Sequence, residues 1–153
     1  MPRWISTVSS QVASEKAASD RQTVTGYLLD TNILLLAMSA PERLSPAVRT
    51  AIESGPNVLS VVSYWEVVLK ASKGKLVEVG DPRVWWETAL SDFAATALPL
   101  RSVHVAGIHT LQAIHQDPFD RALIAQATVE DLALVTTDRV IGEYAGERFT
   151  VVQ

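Results

Sequence analysis

The chain has 153 residues, 48% of them hydrophobic and 20% charged, which suits one globular domain with a real core and excludes a disordered chain. No run approaches the roughly 20 apolar residues of a membrane span, the start has no secretory signal, and the lack of cysteine excludes disulfides, thiolate zinc sites and a cysteine nucleophile, in keeping with the cytoplasm. Thirteen Lys and Arg against 17 Asp and Glu give a net charge of −4, unpromising for a phosphate binder unless some of the acids hold metal.

Residues 1–23 are rich in Ser, Ala and Thr and read as a flexible extension; 24–153 read as the globular domain. Gly26-Tyr27-Leu28-Leu29 is a buried strand ending at Asp30, and 32–38 has the pattern of a helix. Ser45-Pro46 opens a second helix, with a cap followed by proline at the first helical position. A strand over 58–62 runs into Ser63-Tyr64-Trp65-Glu66 and a helix to about Lys73, stopped by Gly74. Asp81-Pro82 opens a helix through about Ala95, Leu98-Pro99-Leu100 forms a short strand, and Ser102 caps the helix after it. Residues 119–129 are a strongly apolar helix, 132–136 a strand ending at Thr137-Asp138, and 149–152 a last edge strand. Helices alternating with fully apolar strands imply an α/β fold, with a mainly parallel sheet of four to five strands flanked by helices.

In open α/β sheets, sites gather beyond the carboxyl ends of the strands. Asp30 and Asp138 fall at such ends, Glu66 lies in the first turn of the helix leaving the second strand, and Asp117 and Asp120 open the apolar helix. Each has a bland explanation. Asp30 can cap the next helix, Ser63-x-x-Glu66 is a capping box, Asp117-Pro118 is a turn, and Asp138 can simply end a strand. Yet independent caps all falling on one edge are a poorer account than one shared site, whose repulsion a divalent cation would relieve. With no cysteine and no zinc-like spacing among His104, His109 and His115, carboxylates point to a hard ion, Mg²⁺ or Mn²⁺. If four of the acids converge on metal, setting them aside brings the net −4 to zero, so charge does not argue against a nucleic-acid partner.

Leu28-Leu29-Asp30-Thr31-Asn32-Ile33-Leu34, Ser63-Tyr64-Trp65-Glu66, His115-Gln116-Asp117-Pro118-Phe119-Asp120-Arg121 and Leu134-Val135-Thr136-Thr137-Asp138, in this order, resemble the PIN-domain family. The resemblance is to its VapC-like branch, ribonuclease toxins of type II toxin–antitoxin modules, and runs from about Val24 to the C-terminus. It implies a three-layer sandwich, a Mg²⁺ or Mn²⁺ site, an RNA substrate, a cognate antitoxin and a homodimer. By the same match Asp30, Glu66, Asp120 and Asp138 are the catalytic, metal-binding acids. Asn32 orients Asp30 or a bound water, Thr136 or Thr137 supports the acids from behind, and Asp117 prepares the Pro118 turn. The extension departs from the family, whose first strand starts almost at the initiator methionine.

Arg121, Lys70 and Arg139 are candidate substrate contacts, each with a local alternative: a pair with Asp117 for Arg121, the helix dipole for Lys70 with Lys73 and Lys75, and the neighbouring Asp138 for Arg139. His115 reads as a structural residue or a support behind the metal ligands. Trp65, Trp85 and Trp86 read as core or oligomer-interface residues. Rival readings are an inactive PIN-like module that binds RNA or protein, a phosphatase using Asp30 as nucleophile, and a receiver-like signalling domain. The phosphatase wants an aspartate where Asn32 stands, and the receiver wants paired acids on the first strand.

Overall fold

In a computed structural model of the chain, residues 4–5, 24–144 and 149–153 are described. The strands are β1 (Tyr27–Leu29), β2 (Asn57–Ser60), β3 (Thr96–Leu98), β4 (Ala133–Val135) and β5 (Thr150–Val152). They form one five-stranded sheet in the order β3-β2-β1-β4-β5, every pair parallel. The helices are α1 (Thr31–Ser39), α2 (Pro46–Ser54), α3 (Val61–Ser72), α4 (Pro82–Asp92), α5 (Ser102–His109), α6 (Pro118–Val129) and α7 (Arg139–Gly142). Among the described residues no helix is long and apolar enough to cross a membrane.

Neighbouring side chains of a strand point to opposite faces, and here each face is covered. Leu28 and Leu134 enter a core with Leu123, Ile124 and Ala127 of α6 and Ile141 of α7. Leu29 and Val135, one residue further on, enter the other core with Ile33 and Leu34 of α1, Ile52 of α2 and Trp85, Trp86 and Ala89 of α4. That is the three-layer sandwich expected, and it explains why the strands are continuous apolar runs. Leu29 is fully buried, so Leu29→Ala would cost about 2–5 kcal/mol. The sheet edge opposite the site is tight: a Cβ on Gly26 would lie 2.8 Å from the Pro56 carbonyl oxygen, which accepts the Tyr27 N–H at 2.9 Å.

Several boundaries move for local reasons. The expected strand over 58–62 ends at Ser60, because the Ser60 hydroxyl accepts the Val62 N–H at 3.0 Å and starts α3 there. Ser63 therefore lies inside α3, and Glu66 in its second turn, so the capping-box account of Glu66 fails. The short strand is Thr96–Leu98, since Pro99 has no N–H to continue the ladder. Arg101, not Ser102, precedes α5, and its N–H donates to Nδ1 of His104 at 3.0 Å. Ala94, at φ 47°, follows the end of α4 at Asp92. The Ser45, Asp81 and Asp117 caps stand where expected.

Of the expected extension over 1–23, only Trp4 and Ile5 are described; the rest lies outside the described residues. Both pack against the α1–α2–α4 core, and the Trp4 indole N–H donates to the Ala37 carbonyl at 3.2 Å.

Candidate metal centre

β1 has β2 on one side and β4 on the other, so the chain leaves the sheet centre in both directions. A crevice opens at such a switch point, outside the strand ends. Asp30 follows β1 directly, and Thr136, Thr137 and Asp138 follow β4. Glu66 reaches the same place from α3, and Asp117 and Asp120 from the start of α6.

Asp30 and Asp138 each do two things. One oxygen of Asp30 accepts the Ile33 N–H at 2.7 Å and caps α1, while the other accepts the hydroxyl of Thr136. One oxygen of Asp138 accepts the Val140 N–H at 2.9 Å and caps α7, while the other lies 2.8 Å from Nε2 of His115. The helix-cap reading thus holds for both carboxylates, and each has a second oxygen engaged by a partner at the same edge. Thr136 joins them, since its hydroxyl oxygen also accepts the Asp138 N–H at 3.0 Å.

Glu66 is buried, with one oxygen accepting the Thr31 hydroxyl at 2.6 Å and the other 2.6 Å from the Lys70 ammonium. Asp120 sits 3.2 Å from Nε2 of His115. Asp117 caps α6 by accepting the Phe119 N–H at 2.8 Å, and its own N–H donates to Nδ1 of His115 at 3.0 Å.

Charge is strained here. Burial pushes the Asp30 carboxyl up to about 6, with the charges of Glu66 and Asp138 adding to it against the bonds from Thr136 and Ile33. Burial also pushes Asp120 up to about 7, with Asp117, Asp30 and Glu66 adding and His115 opposing. Burial raises Asp138 too, but the His115 bond and the Val140 N–H outweigh it and hold that carboxyl below its usual value. Carboxylates that raise one another across a half-buried crevice fit a hard divalent cation, which would turn the repulsion into coordination.

The remaining expected residues divide. Thr136 is fully buried and bonded to the site, whereas Thr137 is exposed. Asn32 is exposed, and the hydrogen bonds on Asp30 come from Ile33 and Thr136 rather than from it. Arg121 turns away from the crevice and from Asp117. Its guanidinium donates to the carbonyls of Gln112 at 2.9 Å and of His115 and Ile108 at 3.2 Å, which fastens the loop between α5 and α6. Lys70 is at the site, held by Glu66, and Arg139 is exposed on α7. Trp85 and Trp86 are buried as expected, but Trp65 is 53% exposed, edge-on to Phe119 with ring centroids 5.0 Å apart. Thr31 was missed as the partner of Glu66. Its place right after Asp30 was the available signal, since a residue opening α1 at the strand end faces the same crevice.

A model of the PIN domain family matches residues 27–147. The chain is 27% identical over 117 residues to Ribonuclease VapC22 of Mycobacterium tuberculosis, covering 76% of this chain and 89% of that protein. It is similar in fold to a chain of VapBC2 from Rickettsia felis bound to a promoter DNA fragment, with a TM-score of 0.61 and 15% identity over 83% of this chain and 98% of that one. A chain of DNA-bound VapBC from Salmonella typhimurium gives a TM-score of 0.59 and 16% identity, over 82% of this chain and 97% of that one. With the motifs on its switch-point edge and the family model spanning nearly all of the sheet, this chain belongs to the PIN domain family.

Proposed function

We propose that this chain is a divalent-metal-dependent endoribonuclease, the toxin of a VapC-type toxin–antitoxin module. The observation that carries the reading is the gathering of Asp30, Glu66, Asp120 and Asp138 at the switch point, where Asp30 and Asp120 are raised by burial and by neighbouring acids. The name of the mycobacterial relative supports RNA as substrate, and the two toxin–antitoxin complexes support a cognate antitoxin. Homodimerisation, a cytoplasmic setting and a nuclease domain over 24–153, with 1–23 as an extension ahead of it, belong to the same proposal.

The four acids would hold Mg²⁺ or Mn²⁺ through oxygen ligands. When bound, the ion would acidify a water and stabilise charge during in-line attack on a phosphodiester. This chain's contribution is to aim the acids: Thr136 holds Asp30 and the backbone of Asp138, Thr31 holds Glu66, and Asp117 fixes the start of α6 beneath Asp120. Arg121 drops out as a phosphate contact because its donors are spent on carbonyls. Lys70 must release Glu66 before that acid can serve a cation fully, and is then free to meet substrate phosphate.

The test is cleavage of a mixed RNA pool by the purified chain with Mg²⁺ or Mn²⁺, with EDTA, and by Asp30→Asn. Cleavage that needs metal and is lost in the variant is the expected result. Full activity of Asp30→Asn would sink the site, and cleavage in EDTA would remove the metal from the mechanism.

A further inference from the structure

His115 lies in the loop before α6, yet its ring stands inside the acid cluster. Nε2 is 2.8 Å from Asp138 and 3.2 Å from Asp120, and these three donor atoms lie within 4.8 Å of one another. By spacing alone it could be counted a metal ligand. The other side of the ring argues otherwise. Nδ1 accepts the Asp117 backbone N–H at 3.0 Å, so it carries a lone pair, and a neutral imidazole has only one. The proton is therefore on Nε2, pointed at the two carboxylates, and Nε2 has no lone pair for a cation.

The residue is also pinned in place. Its backbone N–H donates to the Tyr144 hydroxyl at 2.7 Å, and its carbonyl accepts Arg121 at 3.2 Å. The ring is only 13% exposed. Asp120 belongs to α6 and Asp138 caps α7, and His115 is a neutral donor placed against both.

We propose that His115 is a positioning residue for the metal centre, an Nε2–H donor that sets Asp120 and Asp138 at the separation a divalent cation needs, and not itself a ligand. The role rests on the metal-site reading above. Carboxylate ligands are oriented by such outer hydrogen bonds, whose loss typically lowers metal affinity about 10–100-fold.

The experiment is calorimetric titration of Mn²⁺ into the full chain as wild type, His115→Ala and His115→Gln, with circular dichroism to check folding. Affinity should fall about 10–100-fold in His115→Ala. It should largely return in His115→Gln, whose amide N–H can donate from near the Nε2 position, and the imidazole spectra below separate that donor role from ligation. Unchanged or tighter binding by His115→Ala overturns the positioning role alone, as does a glutamine variant no better than alanine. Failure of the wild type to bind any divalent ion overturns the metal-site reading and this role with it. Nitrogen-15 spectra of the wild-type imidazole give a check that no variant can confound. The proton should stay on Nε2 with and without Mg²⁺, and its loss on Mg²⁺ addition would make His115 a ligand and refute the proposal.

Discussion

The hydroxyl of Thr136 donates to the inner oxygen of Asp30, a residue 106 positions earlier in the chain. The same hydroxyl accepts the Asp138 N–H, so one buried side chain ties the ends of β1 and β4 into a single acidic edge. The parallel pairing of β1 with β4, Leu29 opposite Val135, brings the two ends level.

Thr136→Val keeps the shape and removes the hydroxyl, leaving a buried carboxylate oxygen and the Asp138 N–H without this partner. The expected loss is about 1–3 kcal/mol of stability, with Mn²⁺ affinity down roughly 10-fold or more. Thr136→Ser should restore most of both. Urea denaturation and calorimetry read the two effects, and a valine variant that binds metal like wild type would contradict the bridging role.

The raised carboxyls give a pH dependence of definite sign. Asp30 near 6 and Asp120 near 7 in the folded chain stand above the ordinary 3.8, so the folded state holds more protons across that interval. With metal removed, their contribution makes stability fall as pH rises from about 4 through 7. Asp138, Asp81 and Glu130 are lowered instead, and their contributions change only at more acid pH. Urea midpoints in EDTA should therefore drop between pH 5 and 8, less so in Asp120→Asn, and Mg²⁺ should offset the drop. A wild-type drop no larger than that of the variant would count against a raised Asp120.

Arg121 offers a choice between two kinds of defect. If it clamps the loop that carries His115, Arg121→Gln lowers both the thermal midpoint and metal affinity. A substrate contact would instead raise KM for RNA and leave metal binding alone. The carbonyl partners predict the first pattern.

Away from the site, His104 is fully buried, with Nε2 2.7 Å from Glu130. Its Nδ1 accepts the Arg101 N–H, so the ring proton is again on Nε2, and Glu130→Ala would leave it unpaired. The expected cost is about 1–3 kcal/mol in urea denaturation, with metal affinity unchanged. A neutral result would mean that water reaches the ring readily.

Most of the framework was legible along the chain, because it depends on near neighbours. Apolar runs mark strands covered on both faces, Ser45-Pro46, Asp81-Pro82 and Asp117-Pro118 mark helix starts, and acids after Leu29 and beside α6 mark the strand-end edge. The errors were also local in kind. Ser60 caps α3 ahead of Ser63, and Pro99 ends a strand whose apolar run continues to Leu100.

The partners of those acids were a different matter. Thr136 on Asp30, Thr31 on Glu66, His115 between Asp120 and Asp138, Arg121 on the loop carbonyls and the exposed Trp65 all depend on how separate elements meet. A hydrogen bond requires donor and acceptor within about 3 Å and in line. Sequence pattern gives the edge a residue belongs to but not that distance, which is set when the β1–β4 and β1–β2 registers bring remote segments together.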